Sequence, residues 1–479
     1  MTYGNGKHVG TVNRYRTLAG NTVKLGLGTF GSKLLVLLMV RFYTEYLSPA
    51  DYGTADLITQ TANLLIPLAS LGITDAVLRF AMDKAEDAGG VFAAGFRVVI
   101  SGCVLLVLLA TAAGSASDGS AQLIAVFVAA SNLHTLCAQF IRAKGEMTPF
   151  AVQGLLNTAL MIGLNILFLA VFRMGVTGYV LPTALADLLC TAYLMLRAGL
   201  WRLLAVKPAG GLLLRMLRYC VPLIPTATFW WITGVSDRYM ITAWLGAAAN
   251  GIYAVSAKLP TILTVLSSVF MEAWLFSAVT ERQSGREAHL GFYASVWRTF
   301  LAGMVLSASG VIAFSRPLVR LLAEEEFFSA WQFVPTLCLA MVFAAFSSFL
   351  SSVYVVSKRS GLSFWTSLFG AGSNVILNLL LIPRIGVQGV ALATFASYVL
   401  VFLARAGSVR RLLPFSLAAP TVALDVLLLV VQAVWLTMQL PGWRLVQAVC
   451  LTALLILNMK PLLLAVKNLF GVRRKGEKT

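Results

Sequence analysis

Three basic residues, Lys33, Arg238 and Lys258, stand inside stretches of the chain that are otherwise almost wholly apolar. Four acidic ones, Asp187, Asp237, Glu272 and Asp425, stand in stretches of the same kind. An ionised side chain at the centre of a bilayer costs ~2.5 kcal/mol or more, so it is expected to face a polar cavity or a partner. Cations set on facing helices can replace the hydration shell of an anion. The chemistry these residues offer is therefore binding, not bond-making. No GxxxxGK[ST] loop, GxSxG, HExxH or paired-cysteine motif stands out, so neither an ATP-driven pump nor a catalytic residue is expected. Three widely separated histidines (His8, His134, His289) and six cysteines without CxxC spacing give no metal site, and no cofactor is expected.

The polar residues around these charges recur at helical spacing. Thr22, Gly26, Thr29 and Lys33 step by four, three and four, and Thr226, Trp230, Thr233 and Asp237 repeat that spacing. At ~100° per residue each set falls in a narrow arc of a helix. Lys258, Thr261, Ser268 and Glu272 share another face, and Ser363, Ser367, Asn374 and Asn378 a fourth. Such faces either line a cavity or hold helices together by small and hydroxyl residues. We expect Lys33, Arg238 and Lys258 to form an anion site with Arg41 at its outer edge, and Thr29, Thr233, Trp230 and Asn374 to line it. Asp237 and Glu272 would hold the cations when the site is empty, or form purely structural ion pairs. Asp75 and Arg79, four apart, are a local ion pair or an inner gate. Asp187 and Asp425 are candidates for a coupling proton or sodium ion.

These residues need elements that carry them through a membrane. The chain has 479 residues, 59% of them hydrophobic and only 12% charged, with mean hydropathy +0.84. A soluble exterior could not be built from that composition, and the long apolar runs exclude a β-barrel, whose strands alternate. Fourteen spans of roughly 20 residues would use about 280 residues, close to what is present. The spans are read at about 20–43, 56–78, 96–114, 121–141, 151–172, 176–197, 217–245, 251–279, 293–315, 328–356, 362–382, 387–406, 418–438 and 444–465. The first reads as a span and not as a cleavable signal. With both termini on the cytoplasmic side, 28 Lys and Arg fall inside and six outside, the asymmetry that orients multi-pass proteins. The net charge of +18 thus reports topology, and no nucleic-acid partner is expected. The basic run Arg197, Arg202, Lys207, Arg215 and Arg218 links two halves and attracts anionic membrane lipid.

The halves resemble each other. Arg173-Met-Gly-Val-Thr-Gly178 recurs as Arg384-Ile-Gly-Val-Gln-Gly389, six spans later. Tyr46-Leu-Ser-Pro-Ala-Asp-Tyr-Gly53 is echoed by Trp244-Leu-Gly-Ala-Ala-Ala-Asn-Gly251, 198 residues on. Six is even, so the repeats are parallel. The expected architecture is an all-α polytopic membrane protein: two six-helix lobes, 1–205 and 206–408, around a central cavity, with two extra helices and a basic tail in 409–479.

Asn21-Thr22 before a Gly-containing first span, the Tyr46–Gly53 hairpin with Leu71-Gly-Ile-Thr-Asp-Ala-Val-Leu-Arg-Phe80 after it, and Asn378-Leu-Leu-Leu-Ile-Pro-Arg-Ile-Gly-Val-Gln-Gly-Val-Ala-Leu-Ala-Thr394 together carry a likeness. The chain resembles the polysaccharide-unit flippases of the multidrug/oligosaccharidyl-lipid/polysaccharide exporter superfamily. That resemblance implies a transporter and not an enzyme. It would move an undecaprenyl-diphosphate-linked glycan across the cytoplasmic membrane by alternating access, with glycan polymerase or glycosyltransferase partners. The diphosphate would meet the cations and the glycan would meet hydroxyls and tryptophans. A peptidoglycan-precursor flippase and a cation-coupled drug antiporter share the fold. A membrane glycan polymerase or ligase, the rival from another class, would be expected to show a sizeable external loop with catalytic Arg, His or Asp.

Overall fold

The computed structural model describes residues 35, 37–83, 85–112, 119–280, 286–357 and 359–476. Among the described residues there is no strand; the protein is an all-α polytopic membrane protein. Among the described residues nine helices are long and apolar enough to cross a membrane, or up to eleven when each of two bent pairs counts as one span. The chain packs as two compact units, Phe42–Ala254, and Val255–Thr479 with Met1–Arg41.

The Phe42–Ala254 unit begins within a short helical stretch, α1 (37–46). It contains α2 (Pro49–Ala69), α3 (Ile73–Ala81), α4 (Ala88–Ala112), α5 (Ser120–Ala143), α6 (Met147–Ile166), α7 (Gly175–Arg197), α8 (Leu212–Cys220), α9 (Ile224–Leu245) and most of α10 (Ala247–Ser256). Local chemistry sets where these begin. Ser48 Oγ accepts from the Asp51 N–H at 3.2 Å, and Pro49 occupies the first turn of α2, where no N–H is needed. Asp87 accepts from Gly89 and Gly90 N–H at 3.1 and 2.9 Å and starts α4. Between α2 and α3 the chain bends by 55°, with Gly72 at φ 66°. The core is built on Ile73, Val77, Phe92, Leu136, Phe140 and Met216, with the Phe92 and Phe140 rings 4.9 Å apart.

The other unit holds α11 (Thr261–Thr280), α12 (Arg286–Ala313), α13 (Ser315–Leu322), α14 (Val334–Val356), α15 (Ser360–Leu412), α16 (Ala419–Thr437) and α17 (Trp443–Gly476). The 53-residue α15 is two helices in one run. Its backbone leaves helical values at Ile385 (φ −133°, ψ 18°) and Gly386 (φ 60°, ψ −141°), where the repeat motif places a turn after Pro383. The left-handed φ at Gly386 suits a residue without Cβ. Trp297 sits fully buried among Phe346, Phe349 and Phe402, and its Nε1–H donates to Leu417 O at 2.9 Å. Ser309 Oγ donates to Gln432 Oε1 at 2.9 Å and Gln447 Nε2 to Gln432 O at 2.8 Å, fastening α12, α16 and α17 by polar contacts inside an apolar bundle.

Candidate functional site

Arg238 lies on α9 and its guanidinium meets the Asp56 carboxylate on α2, with Nη1 and Oδ2 2.5 Å apart. Both side chains are largely buried, at 14% and 7% exposure. The Arg238 guanidinium also lies 5.7 Å from the Tyr253 ring centre, within cation–π range. Tyr253 Oη donates to Asp237 Oδ2 at 2.6 Å, and Thr61 and Tyr239 hydroxyls meet at 2.5 Å one turn beyond the ion pair. Asp237 was expected to hold Arg238, but consecutive residues on a helix point about 100° apart. The structure turns Asp237 to Tyr253 and gives Arg238 a partner from another helix. Two carboxylates thus surround one guanidinium, and as arranged this cluster is not electropositive. Arg238 Nε and Asp237 Oδ1 are buried without a hydrogen-bond partner among the described residues. Asp56 escaped the sequence reading because it begins the apolar stretch of α2 and looked like its edge.

The other expected residues are scattered. Lys33 and Thr29 lie outside the described residues, as do the side chains of Trp230, Thr233 and Glu272. Lys258 sits half-buried in the turn before α11, and its carbonyl accepts from Thr261 Oγ1 at 2.5 Å. Arg41 is paired with the Glu324 carboxylate and donates to Ala323 O at 2.7 Å. Its guanidinium is engaged, and so is that glutamate of the Glu324–Glu326 run. Asp75 and Arg79 on α3 are both exposed, and no ion pair joins them among the described residues. Asn374 was expected to line the cavity. It is 2% exposed and is held between the two halves of α15, 3.4 Å from both Thr394 Oγ1 and Ser397 Oγ, while Asn378 Nδ2 donates to its Oδ1 at 3.0 Å. These polar contacts between buried side chains fasten the two halves of the run, while Asn378 Oδ1 has no hydrogen-bond partner among the described residues. Asp187 on α7 accepts from Ser131 Oγ at 2.5 Å and Asn157 Nδ2 at 2.8 Å. Asp425 on α16 is fully buried and accepts from Asn458 Nδ2 of α17 at 2.9 Å.

The space that could hold a ligand lies elsewhere. A cavity of about 550 Å³ opens between α11 and α14 in the Val255–Thr479 unit. Seven lining residues carry hydroxyls, Thr264, Ser267 and Ser268 of α11, Ser348, Ser351 and Ser352 of α14, and Tyr398 of α15, although most of the wall surface is apolar. None of the described residues that line it is charged; the side chain of Glu272, next to Met271 on α11, lies outside the described residues. Of these residues the helical-face argument had found only Ser268, because it followed the charges at Lys258 and Glu272. The signal was present in α14 as serines at i, i+3 and i+4 within an apolar run.

Arg405, on the second half of α15, is 4% exposed. It donates to Ser347 O at 2.8 Å, Thr366 Oγ1 at 3.1 Å and Ser367 Oγ at 2.9 Å, and has no carboxylate partner among the described residues. Ser363, one turn before Ser367, meets the cavity serine Ser351 at 3.2 Å. Arg405 falls at the end of the span read at 387–406 and is one of the 28 Lys and Arg counted to the inside. It is a buried cation held by neutral acceptors.

Comparison with known proteins fits this architecture. The chain is 29% identical over 207 residues to Uncharacterized membrane protein MJ1375 of Methanocaldococcus jannaschii, a stretch that spans 42% of this chain and 46% of that protein. The fold is shared with a solved structure of the Lipid II flippase MurJ in an inward closed conformation (TM-score 0.68, 14% identity, 94% of this chain and all of that one). It is also shared with an inward-facing multidrug resistance MATE family transporter of the MOP superfamily (TM-score 0.60, 14% identity, 80% of this chain and 95% of that one). At such identities the likeness is one of fold, and it is the fold of membrane transporters and flippases. The model of the family described as polysaccharide biosynthesis protein matches residues 18–277, more than half of the chain, and the chain belongs to that family.

Proposed function

We propose that the protein flips a lipid-linked glycan, an undecaprenyl-diphosphate oligosaccharide or polysaccharide repeat unit, across the cytoplasmic membrane by alternating access. The observation that carries this reading is the cavity between α11 and α14, to which seven hydroxyl side chains and, among the described residues, no charged one contribute. Sugar hydroxyls exchange hydrogen bonds readily with Ser and Thr hydroxyls, which serve as donor and acceptor alike. The charge that an anionic headgroup needs is near at hand in Arg405, which has no carboxylate partner among the described residues. Membership of the polysaccharide biosynthesis family supports the same substrate class. In this reading the Arg238–Asp56 pair is a latch whose opening would release a guanidinium to the transport path.

The test is genetic and chemical. In the host, deletion of the gene should abolish a surface glycan and raise its lipid-linked precursor in the membrane. Replacing Ser268 and Ser348 together with Leu should reproduce that phenotype at unchanged protein level. A deletion strain with every surface glycan intact would refute the reading.

A further inference from the structure

We propose that His134 and Asp187 form a proton-binding site within the Phe42–Ala254 unit, with Gln153 as the group that changes sides when the proton leaves. The pair bridges α5 and α7, and α6 closes it. His134 Nδ1 lies 3.0 Å from Asp187 Oδ1, and His134 Nε2 lies 2.6 Å from Gln153 Oε1. Asp187 takes two further donors, Asn157 Nδ2 at 2.8 Å on Oδ1 and Ser131 Oγ at 2.5 Å on Oδ2. Gln153 is 5% exposed and Asp187 7%, so little water competes for these contacts.

The placement of hydrogens follows from the partners. Both imidazole nitrogens face oxygen acceptors, a carboxylate on one side and an amide carbonyl on the other. With the Gln153 amide oxygen toward the ring and Asp187 ionised, both nitrogens carry hydrogen and the ring is the imidazolium, which is the loaded state of the proposal. Its charge is balanced by Asp187, which is how a charge pair persists among apolar helices. The proton that can leave is the one on Nε2, since the Nδ1 hydrogen is shared with the carboxylate. When it leaves as a hydron to water, the Nε2 lone pair would confront Gln153 Oε1 at the same short distance. Two acceptors repel, so the Gln153 amide must turn and present its N–H₂. The reverse sequence loads the site. Proton gain and loss are thus tied to a side-chain movement on α6, a two-position element of the kind that histidine switches use.

The surrounding charges do not blur this. Of the helices packed on α5 and α7, α2 brings Asp56, which is paired with Arg238 of α9. α3 brings Asp75 and Arg79, both exposed. α4 brings Arg97, which donates to Val206 O. Arg142 of α5 lies over the Phe150 ring. Cys190 is the other titratable group at the site, with its thiol directed at Gln153 O, 3.6 Å away. In use, the site would supply a coupling proton to the transport proposed above, and only that use rests on the transport reading.

The test reads the ring directly. The chain has three histidines, so ¹⁵N-histidine labelling of the full-length protein in lipid nanodiscs gives three ring systems, and the one missing in His134→Gln is assigned. At about pH 7.5, where an ordinary imidazole is largely neutral, the His134 ring should still be doubly protonated. In Asp187→Asn it should be neutral at the same pH. In Gln153→Met, which removes the acceptor, the ring should lose its Nε2 hydrogen at a lower pH than in the wild type. A singly protonated His134 in the wild-type protein, or a ring that titrates unchanged in Asp187→Asn, overturns the proposal. The wild-type tautomer alone decides the first point should a variant not fold. No glycan is involved, so failure here is separate from failure of the flippase reading.

Discussion

Gly53 and Gly251 meet reciprocally. A Cβ on Gly53 would lie 1.9 Å from Ala247 O, and a Cβ on Gly251 would lie 1.9 Å from Pro49 O. The two contacts exchange under the 198-residue offset of the hairpin repeat, in the way residues exchange across a two-fold axis. Asn250 Nδ2 adds a bond to Gly53 O at 2.9 Å. Backbone touches backbone at the starts of α2 and α10, and a methyl group has nowhere to go. Gly53→Ala and Gly251→Ala should each cost about 3 kcal/mol or more, the upper end for overpacking, because main chain and not a flexible side chain must yield. Gly372→Ala, with nothing within 4 Å of the added carbon, should be neutral or slightly stabilising. Thermal melts of the three variants in detergent check this. Equal melting temperatures would show that the close approach is absent.

The Arg238–Asp56 pair predicts a split between stability and activity. Asp56→Asn leaves a buried guanidinium without its counter-charge and should destabilise by about 3–5 kcal/mol. The paired replacement Asp56→Leu with Arg238→Met removes both charges and should melt close to the wild type. If the pair is a latch, that double variant is stable yet exports no glycan. A stable double variant with normal surface glycan would assign the pair to structure alone.

These two cases show where sequence reading succeeds and where it stops. The apolar stretches, the turn at Gly386 and the hairpin repeat were legible because each is set by residues close in the chain. Helices α4, α5 and α7 follow the expected spans to within a few residues at most ends, while α4 starts eight residues early at the Asp87 cap. The polar pairing was not legible. Asp56 and Arg238 are 182 residues apart, and Ser131, His134, Gln153, Asn157 and Asp187 come from three helices. A helical face tells which residues point together and not what stands opposite. Asn374 and Asn378 do share a face, as expected, but that face meets Thr394 and Ser397.

Arg405 gives a third prediction. Its three hydrogen bonds tie α14 at Ser347 to both halves of α15, and the planar fork of a guanidinium reaches acceptors in directions a lysine cannot. Arg405→Lys keeps the charge and loses the fork; Arg405→Met loses both and leaves the half-buried Thr366 and Ser367 hydroxyls short of a donor. A purely structural residue would make the melting temperature fall in both variants with glycan display following it. A residue that also supplies positive potential to the cavity would keep more export in Arg405→Lys than in Arg405→Met at matched protein level. The second pattern is expected, measured as surface glycan per copy of protein.

The cavity itself can be mapped with thiols. All six native cysteines are buried, so the wild-type protein should react little with a hydrophilic maleimide in mild detergent. Ser348 is exposed on the cavity wall, whereas Ser309 is fully buried and bonded to Gln432. Ser348→Cys should therefore label rapidly and Ser309→Cys should not, although both sit in the middle of apolar helices. Such a difference would report a water-filled space at α14, since a lipid-facing or tightly packed thiol would stay unreacted. Lipid-linked glycan added in excess should then slow labelling at Ser348→Cys without changing the unfolded-state rate. Equal labelling of the two positions would remove the cavity from the transport path.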